Sequence, residues 1–183
     1  MNRIFRRGRG NRVPDGTLVY PFLNPMDSTN DLPAGLFDGA SMALGEIGPG
    51  QSSGIQVHPV VTVIIWVVHG DLRVKMKDPS ASAPYRLDLR AEDGAVAAPG
   101  TFFQLINPGT DTTRVMYVVS PPYVFLQTPE KLVYDDAIVL DGNWETLASR
   151  RWRCPGARPD RVRAKRRKAI KEVARRKGSA KRL

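Results

Sequence analysis

The chain has 183 residues, 42% of them hydrophobic, and carries a formal net charge of +10 with a single cysteine. A chain of this length accommodates one domain with terminal extensions, and no apolar run in it is long enough to cross a bilayer. One cysteine excludes an internal disulfide and fits a reducing compartment. Because the first residues also lack the apolar core of a secretory signal, we expect a cytoplasmic protein without a transmembrane segment.

The positive charge is concentrated at the two ends of the chain. Residues 1–12 hold five Arg and no acid, and residues 150–183 hold sixteen Lys and Arg against two acids. The part between them, residues 13–149, therefore carries a net charge of −9. We predict a basic N-terminal arm at 1–16, a β domain at 17–149 and a basic C-terminal tail at 150–183.

Short alternating segments predict strands through the middle of the chain. Residues 17–22 indicate an edge strand, because Pro21 cannot donate to a central ladder, and residues 24–40 are rich enough in turn-forming residues to predict a long loop. The apolar run 60–68 predicts a strand buried on both faces. Further strands are predicted at 41–47, 72–76, 85–90 and 113–119. Short strands punctuated by turns favour a sandwich or jelly roll.

The segment around the longest apolar run resembles the first sequence motif of the cupin superfamily. That motif has a glycine, a His-x-His, a Glu and a closing glycine. Gly50, Gln56, His58, Val63 and Gly70 stand at about those places. Here His58 keeps the second His place, whereas Gln56 takes the first and Val63 takes that of the Glu.

A later segment is similar to the second cupin motif, which has Gly, Pro, Gly, His and Asn. Gly94, Pro99, Gly100 and Asn107 match, and Phe103 takes the His place. The resemblance covers roughly residues 17 to 126. It implies an all-β fold, the cupin double-stranded β-helix or jelly-roll barrel; the basic, helical C-terminal tail is predicted separately, from residue composition.

A cupin metal site presents several imidazoles and a carboxylate into the barrel, and here most of those ligands are replaced. His58 is the one imidazole left, and a single imidazole beside the neutral amide of Gln56 is a poor divalent site. Gln104 becomes a further ligand only where a bulge turns it inward. We predict that no metal binds tightly. The alternative is a weak site for Fe, Mn or Zn at His58 and Gln104.

His58 remains a candidate catalytic residue without any metal. Inside an apolar barrel its pKa falls, so the ring stays neutral and suits general acid–base work, which is how the resemblance implies that metal-free cupin isomerases and lyases act. The alternative is a structural histidine bonded at a strand end. Four aromatic side chains fit either a pocket lining or plain core: Trp66, Tyr117, Tyr123 and Tyr134. The predicted substrate-binding residues are Gln56, Gln104, Trp66, Phe103 and Tyr117.

The adjacent carboxylates Asp135 and Asp136 do not form a catalytic pair. Neighbouring residues on a strand point to opposite faces, so the two side chains cannot easily share one proton. A turn, or a salt bridge to a basic arm, is the predicted role.

Two helices are predicted after the strands. A short one covers 144–148 with Asn143 as its N-cap, and a long one covers 160–177. The apolar stripe of the long helix is too thin to hold it to a core without help. Its cations fit the phosphate backbone of RNA or DNA. One alternative is a membrane surface, which the lack of Phe, Trp or Leu on the apolar face disfavours, and another is the acidic barrel of this or another subunit. The predicted polyanion-binding residues are Arg163, Lys165, Arg166, Arg167, Lys168, Lys171, Arg175 and Arg176.

Two functions from different classes follow from these patterns. The first is a cupin-domain protein that binds or transforms a small organic molecule in the barrel pocket, with a degenerate or absent metal site. The second is a non-catalytic cupin module that its basic arms attach to nucleic acid or another polyanion. The resemblance also implies a homodimer that pairs through the barrel.

Overall fold

The computed structural model describes residues 7, 9–29, 32, 39–152 and 158–180. Within them the chain forms thirteen strands and two helices. The strands are β1 (Asn11–Arg12), β2 (Leu18–Leu23), β3 (Ser41–Ile47), β4 (Ile55–Val57), β5 (Thr62–His69), β6 (Leu72–Lys77), β7 (Tyr85–Leu89), β8 (Gly94–Ala97), β9 (Phe102–Ile106), β10 (Thr113–Ser120), β11 (Phe125–Gln127), β12 (Leu132–Asp135) and β13 (Ile138–Leu140). The helices are α1 (Trp144–Ser149) and α2 (Pro159–Ala180).

The strands form two large antiparallel sheets and a small ribbon. The six-stranded sheet has the order β1-β2-β3-β10-β5-β8, the five-stranded sheet has the order β13-β4-β9-β6-β7, and β11 pairs with β12. Strands that are distant in sequence lie side by side, as β10 does between β3 and β5. This arrangement is typical of a jelly roll and confirms the predicted all-β class with a helical tail.

β5 is buried on one face only, so the prediction of burial on both faces is wrong. Its inward side chains, Val63, Ile65 and Val67, lie in the main core. Its outward side chains, Ile64, Trp66 and Val68, are 39%, 40% and 47% exposed. An antiparallel sheet commonly packs one face on the core and leaves the other in water, and that is the position of β5 here.

α1 packs against the outside of the five-stranded sheet. Asn143 caps it as predicted: the Asn143 side chain accepts a hydrogen bond from the Thr146 backbone N–H, and the Thr146 hydroxyl accepts one from the backbone N–H of Asn143. The buried side chains of Trp144 and Leu147 complete a cluster with Phe102 of β9. This second cluster lies on the opposite side of β9 from the main core.

α2 lies against the barrel and is not a detached tail. Ala169 and Val173 are buried in a third cluster with Val124 and Leu126. The thin apolar stripe suffices because Arg166 adds a buried ion pair to it. The tail predicted at 150–183 therefore includes a docked helix, while residues 153–157 and 181–183 lie outside the described residues.

Part of the predicted N-terminal arm belongs to the barrel. β1 pairs with β2, and the turn between them is closed by a hydrogen bond from the backbone N–H of Val13 to the carbonyl of Thr17 at 3.0 Å. Gly16 occupies this turn with a φ of 90°, which favours glycine. Residues 11–16 are thus part of the fold, while residues 1–6 and 8 lie outside the described residues.

Candidate functional site

β4 and the residue after it point two polar side chains into the barrel. Gln56 and His58 are two residues apart, so they lie on the same face of the strand, and both are buried. The backbone N–H of Gly100 donates to the carbonyl of His58 at 2.9 Å, which joins the segment after β4 to the turn before β9. The two motifs recognised in the sequence therefore meet at His58.

The His58 ring lies between two aromatic side chains. It stacks on Phe103 with ring centroids 5.6 Å apart and an interplanar angle of 11°, and Tyr123 lies tilted against it at 5.8 Å. His58 is 6% exposed, and its buried Nδ1 forms no hydrogen bond with any described residue. Burial lowers the pKa of His58 to about 4, so the ring is neutral at physiological pH.

A cavity of about 110 Å³ opens beside the ring. It is lined by β1, β2, β3, β5 and β10 of the six-stranded sheet, by β4 and β9 of the five-stranded sheet and by Phe125 of β11. The lining side chains that matter for chemistry are Asp15, Thr17, Asn24, Asp27, Ser41, Gln56, His58, Phe103, Tyr117, Tyr123 and Phe125. An engineered dry cavity of about 150 Å³ holds benzene, so this one has room for roughly five non-hydrogen atoms.

The turn between β1 and β2 supplies one polar wall of the cavity. Gln56 Nε2 donates to Asp15 Oδ2 at 2.8 Å, and the backbone N–H and the hydroxyl of Thr17 donate to Asp15 Oδ1 at 2.9 and 2.7 Å. The amide of Gln56 is thereby fixed by protein groups. This gives Gln56 a positioning role in the wall of the cavity.

Tyr117 reaches the cavity by crossing the neighbouring strand at a glycine. A Cβ atom at Gly45 of β3 would lie 2.5 Å from the Tyr117 ring, so the ring can take this position only where no side chain stands. Burial, and then the charge of Asp15, raises the pKa of the Tyr117 hydroxyl. The phenol therefore stays protonated and serves as a hydrogen-bonding group.

Two further carboxyl groups border the site. Asp27 is 2% exposed and lines the cavity, and burial raises its pKa. Asp135 accepts hydrogen bonds from the Tyr123 hydroxyl and from the backbone N–H of Ala137, and burial raises the pKa of Asp135 to about 6. Tyr123 thus touches His58 with its ring and Asp135 with its hydroxyl.

The donor set in the cavity does not fit the Fe, Mn or Zn site of a cupin. Val63 and Phe103 fill two of the ligand places with hydrocarbon, and the Gln56 amide is already bonded to Asp15. Within the described part of the chain, no three His, Cys, Asp or Glu side chains lie close enough to hold a metal ion. One imidazole cannot retain such an ion against its hydration.

Gln104 and Trp66 are not part of the cavity, so both predictions are wrong. β9 pairs in regular register, with Gln56 opposite Phe103 and Lys75 opposite Gln104, so no bulge turns Gln104 inward. Its amide instead donates to the carbonyl of Ser53 at 2.9 Å and accepts from Trp144 Nε1 at 2.8 Å on the outer side. Trp66 points outward from β5. The cavity does contain Gln56, His58, Phe103 and Tyr117.

Asp15, Thr17 and Asp27 were missed by sequence reasoning. A usable signal was present for the first, because Val-Pro-Asp-Gly before an alternating run predicts a tight turn, and such a turn folds residues 11–13 back onto β2. Asp27 offered no such signal. It sits in a polar loop, and only the three-dimensional path of that loop brings it to the cavity.

The predicted polyanion-binding residues divide into two groups on α2. Arg166 is buried, and its guanidinium bonds to the carboxylate of Asp136 and to the carbonyl of Pro122, so its prediction as a polyanion contact is wrong. The same ion pair confirms a salt bridge between the acidic pair and a basic arm. Arg175 and Arg176 bond to Glu172. The fully exposed members are Arg163, Lys165, Arg167, Lys168 and Lys171.

No helix among the described residues combines the length and the apolar character that crossing a membrane requires. No family model matches the chain, and no curated protein matches it significantly. The solved structures do match. The Drosophila melanogaster CENP-C cupin domain aligns with 15% identity and a TM-score of 0.50 over 61% of this chain and 69% of that one.

Two enzymes of oxalate metabolism have similar structures. Oxalate oxidase aligns with 25% identity and a TM-score of 0.52 over 62% of this chain. Lactobacillus farciminis oxalate decarboxylase, solved as a formate complex, aligns with 18% identity and a TM-score of 0.55 over 85% of this chain. The chain spans 56% of the first enzyme and 40% of the second. The resemblance drawn from the two sequence motifs is thereby confirmed, and the chain has the cupin fold.

Proposed function

We propose that the chain binds a small organic molecule in the barrel cavity, with His58 as the central contact. The observation that carries this is that His58 lines a cavity of about 110 Å³ while its buried Nδ1 has no partner among the described residues. A buried polar atom without a partner costs roughly 1–3 kcal/mol. A ligand that hydrogen-bonds to this nitrogen removes that cost.

Binding is better supported than catalysis by His58. An efficient general base has a pKa near the working pH, whereas burial holds the pKa of His58 at about 4. The neutral ring is a good hydrogen-bonding group but a weak base. The cavity also offers no fitting metal site, so the proposal includes no metal-dependent step.

Labelling of the histidine side chains tests the binding proposal directly. The chain has two histidines, of which His58 lines the cavity and His69 is exposed at the end of β5. We expect that screening of isotopically labelled protein by NMR against compounds of roughly five non-hydrogen atoms identifies ligands that shift the His58 ring signals and leave those of His69 in place. His58→Phe should abolish this binding, and the control His69→Gln should retain it. Ligands that bind without moving the His58 signals would contradict the proposal.

A second candidate function is polyanion binding by the outer face of α2. It is supported by the way this helix packs: its apolar residues and Arg166 face the barrel, while Arg163, Arg167, Lys168 and Lys171 remain exposed. The packed helix holds these cations on one surface before any partner arrives. Phosphate backbones of RNA or DNA fit such a surface without base-specific contacts.

Salt-dependent binding of a single-stranded RNA checks this second function. Replacing Arg167, Lys168 and Lys171 by Gln should weaken binding and reduce the slope of log K against log salt by about 0.7 for each lost phosphate contact. The matched control replaces three exposed cations of the barrel, Arg86, Arg90 and Arg114, by Gln and should leave the slope unchanged. Equal loss of affinity in both variants would mean that net charge alone, and not α2, governs binding.

A homodimer is part of the proposal, and the outer face of the six-stranded sheet supports it. Ile64, Trp66 and Val68 of β5 and Val96 of β8 are large exposed apolar side chains on this face, and Ile64 lies directly opposite Val96. We expect sedimentation equilibrium to report a dimer that Trp66→Glu dissociates and that the control Val133→Glu, on another surface, leaves intact. A monomer at high protein concentration would refute it. The cytoplasmic location stays a prediction.

A further inference from the structure

The lining of the cavity is acidic and aromatic. It includes the carboxylates of Asp15 and Asp27, and no Lys or Arg is among its described residues. Four aromatic side chains also line it: Phe103, Tyr117, Tyr123 and Phe125. A charged ligand that enters this space must be compatible with negative charge and with π faces.

Asp27 is the carboxylate best placed to meet a ligand. Its hydrogen bonds from the backbone N–H and the hydroxyl of Thr29, at 2.8 and 2.7 Å, both go to Oδ1. No described residue donates to Oδ2, whereas both oxygens of Asp15 are bonded to Thr17 or Gln56. With respect to the described residues, Asp27 therefore has one oxygen available to an incoming donor.

Lys177 of α2 acts electrostatically on Asp27, but its side chain is not part of the cavity lining. The Nζ of Lys177 donates to the carbonyl of Leu32 at 2.8 Å. The positive charge therefore stays outside the space where a ligand binds.

His58 gives an independent indication of a bound donor or acceptor. The residue is 6% exposed and its Nδ1 is unpartnered. When the ring proton is on Nε2, Nδ1 accepts a hydrogen bond. A ligand N–H group then satisfies His58, while the charge of the same group is balanced by Asp27 and by neighbouring aromatic faces.

We infer, on the basis of the proposed ligand-binding function, that the cavity selects a small organic ammonium ion over a carboxylate. A carboxylate would bring negative charge beside Asp15 and Asp27 where no described Lys or Arg lines the cavity, and like charges in a poorly solvated site repel. An ammonium ion could donate to a carboxylate oxygen and to one imidazole nitrogen and lie against aromatic rings. This selectivity differs from that expected for a site that takes oxalate or formate.

Three compounds with the same branched skeleton test the inference: isobutylamine, isobutanol and isobutyrate. Each has roughly the number of atoms that the cavity accommodates. Binding is followed by the His58 ring signals of the full chain at neutral pH. We expect the amine to bind more tightly than the alcohol and at least about tenfold more tightly than the carboxylate.

Asp27→Asn tests the contribution of the negative charge of Asp27 to this selectivity, because it removes the charge and keeps the shape of the side chain. Asn keeps an oxygen for the two Thr29 donors, so the fold should persist, and this is checked by the thermal transition. The variant should lose most of the preference for isobutylamine while binding isobutanol as before. The control Asp111→Asn removes the same charge from an exposed turn and should change neither affinity.

The possible outcomes separate this inference from the proposed function. Isobutyrate binding as tightly as isobutylamine overturns the charge selectivity but leaves ligand binding intact. Isobutanol binding best, or amine binding unaffected by Asp27→Asn, also overturns it. Failure of all three compounds overturns the inference, and the broader screen against His58 then decides whether the proposed function fails as well.

Discussion

Arg166 and His58 are buried to the same extent, at 6% exposure each, but their surroundings differ completely. The Arg166 guanidinium bonds to Asp136 and to the Pro122 carbonyl, and Asp136 in turn accepts from the backbone N–H of Val124. The Nδ1 of His58 has no partner among the described residues. Native structures satisfy nearly all buried polar groups, so the contrast separates a group whose bonds are completed within the fold from the one that we propose a ligand completes.

Breaking the Arg166 pair should have the largest effect. Arg166→Met removes one partner and leaves the Asp136 carboxylate buried, which is expected to lower the free energy of unfolding by about 3–5 kcal/mol. Chemical denaturation measures this. Lys168→Met, two residues along the helix and on its exposed side, is the control and should change stability by less than about 0.5 kcal/mol. A small loss at Arg166 would mean that the pair adds nothing to the docking of α2.

Asp135 should make stability depend on pH in a defined direction. Its pKa is raised to about 6 in the folded state, so the folded state favours the protonated form, and its contribution to stability is lost as pH rises from about 4 to about 6. Asp135→Asn lacks this titration. Its stability relative to the parent protein should therefore be greater at pH 8 than at pH 4, by up to about 3 kcal/mol. An equal difference at both pH values would contradict the assignment.

The contribution of His58 to the pH dependence of stability has the opposite sign over nearly the same pH range. Its folded pKa is about 4, so its contribution is present above about pH 6.5 and is lost as pH falls toward 4. In the parent protein the slopes of His58 and Asp135 oppose each other between about pH 4 and 6. His58→Gln should expose the Asp135 slope, and stability should then rise as pH falls.

Replacing His58 by Phe should affect stability in the opposite direction to replacing Arg166. His58→Phe removes a polar atom that has no partner among the described residues and keeps a ring beside Phe103, so it is expected to raise the free energy of unfolding by about 1 kcal/mol at pH 7 while ligand binding is lost. Denaturant titration with and without a ligand from the screen measures both effects. A variant that is destabilised as strongly as Arg166→Met would show that His58 is structural.

Removing surface cations should have the smallest effect on stability. Lys168→Gln combined with Lys171→Gln is expected to change the free energy of unfolding by less than about 0.5 kcal/mol, because both side chains are exposed and no described group pairs with either. The measurement is the same denaturant titration at low salt. A larger destabilisation would mean that these lysines support the helix rather than a partner.

The fold was predictable because the local patterns agree with it. Ser41–Ile47 is a strand with the predicted bounds, and Asn143 caps α1 as its sequence indicates. Which face of a strand is buried was harder to predict, since the nine β-branched or aromatic residues at 60–68 give no alternation to separate inside from outside. Val63, Ile65 and Val67 face the core, while Ile64, Trp66 and Val68 face outward.

The candidate site was predictable only where motif residues form it. His58 and Phe103 lie at motif positions and were identified. Gln104 was assigned to the inner face of β9, which would be correct only if a β-bulge shifted the strand by one residue. Asp27 and Arg166 owe their roles to contacts between segments far apart in the chain. A cation in a Lys- and Arg-rich helix has the same local sequence signal whether it binds a phosphate or a buried carboxylate.

The contacts of Arg166 have a consequence for the cavity. The guanidinium donates to the Pro122 carbonyl, and its partner Asp136 accepts from the backbone N–H of Val124. These two hydrogen bonds fix the backbone on both sides of Tyr123 from outside the barrel. Tyr123 is also the side chain that lies tilted against His58. We therefore expect the ligand binding proposed for the cavity to depend on the docking of α2, and a chain shortened before residue 158 should lose ligand affinity although every cavity residue is retained.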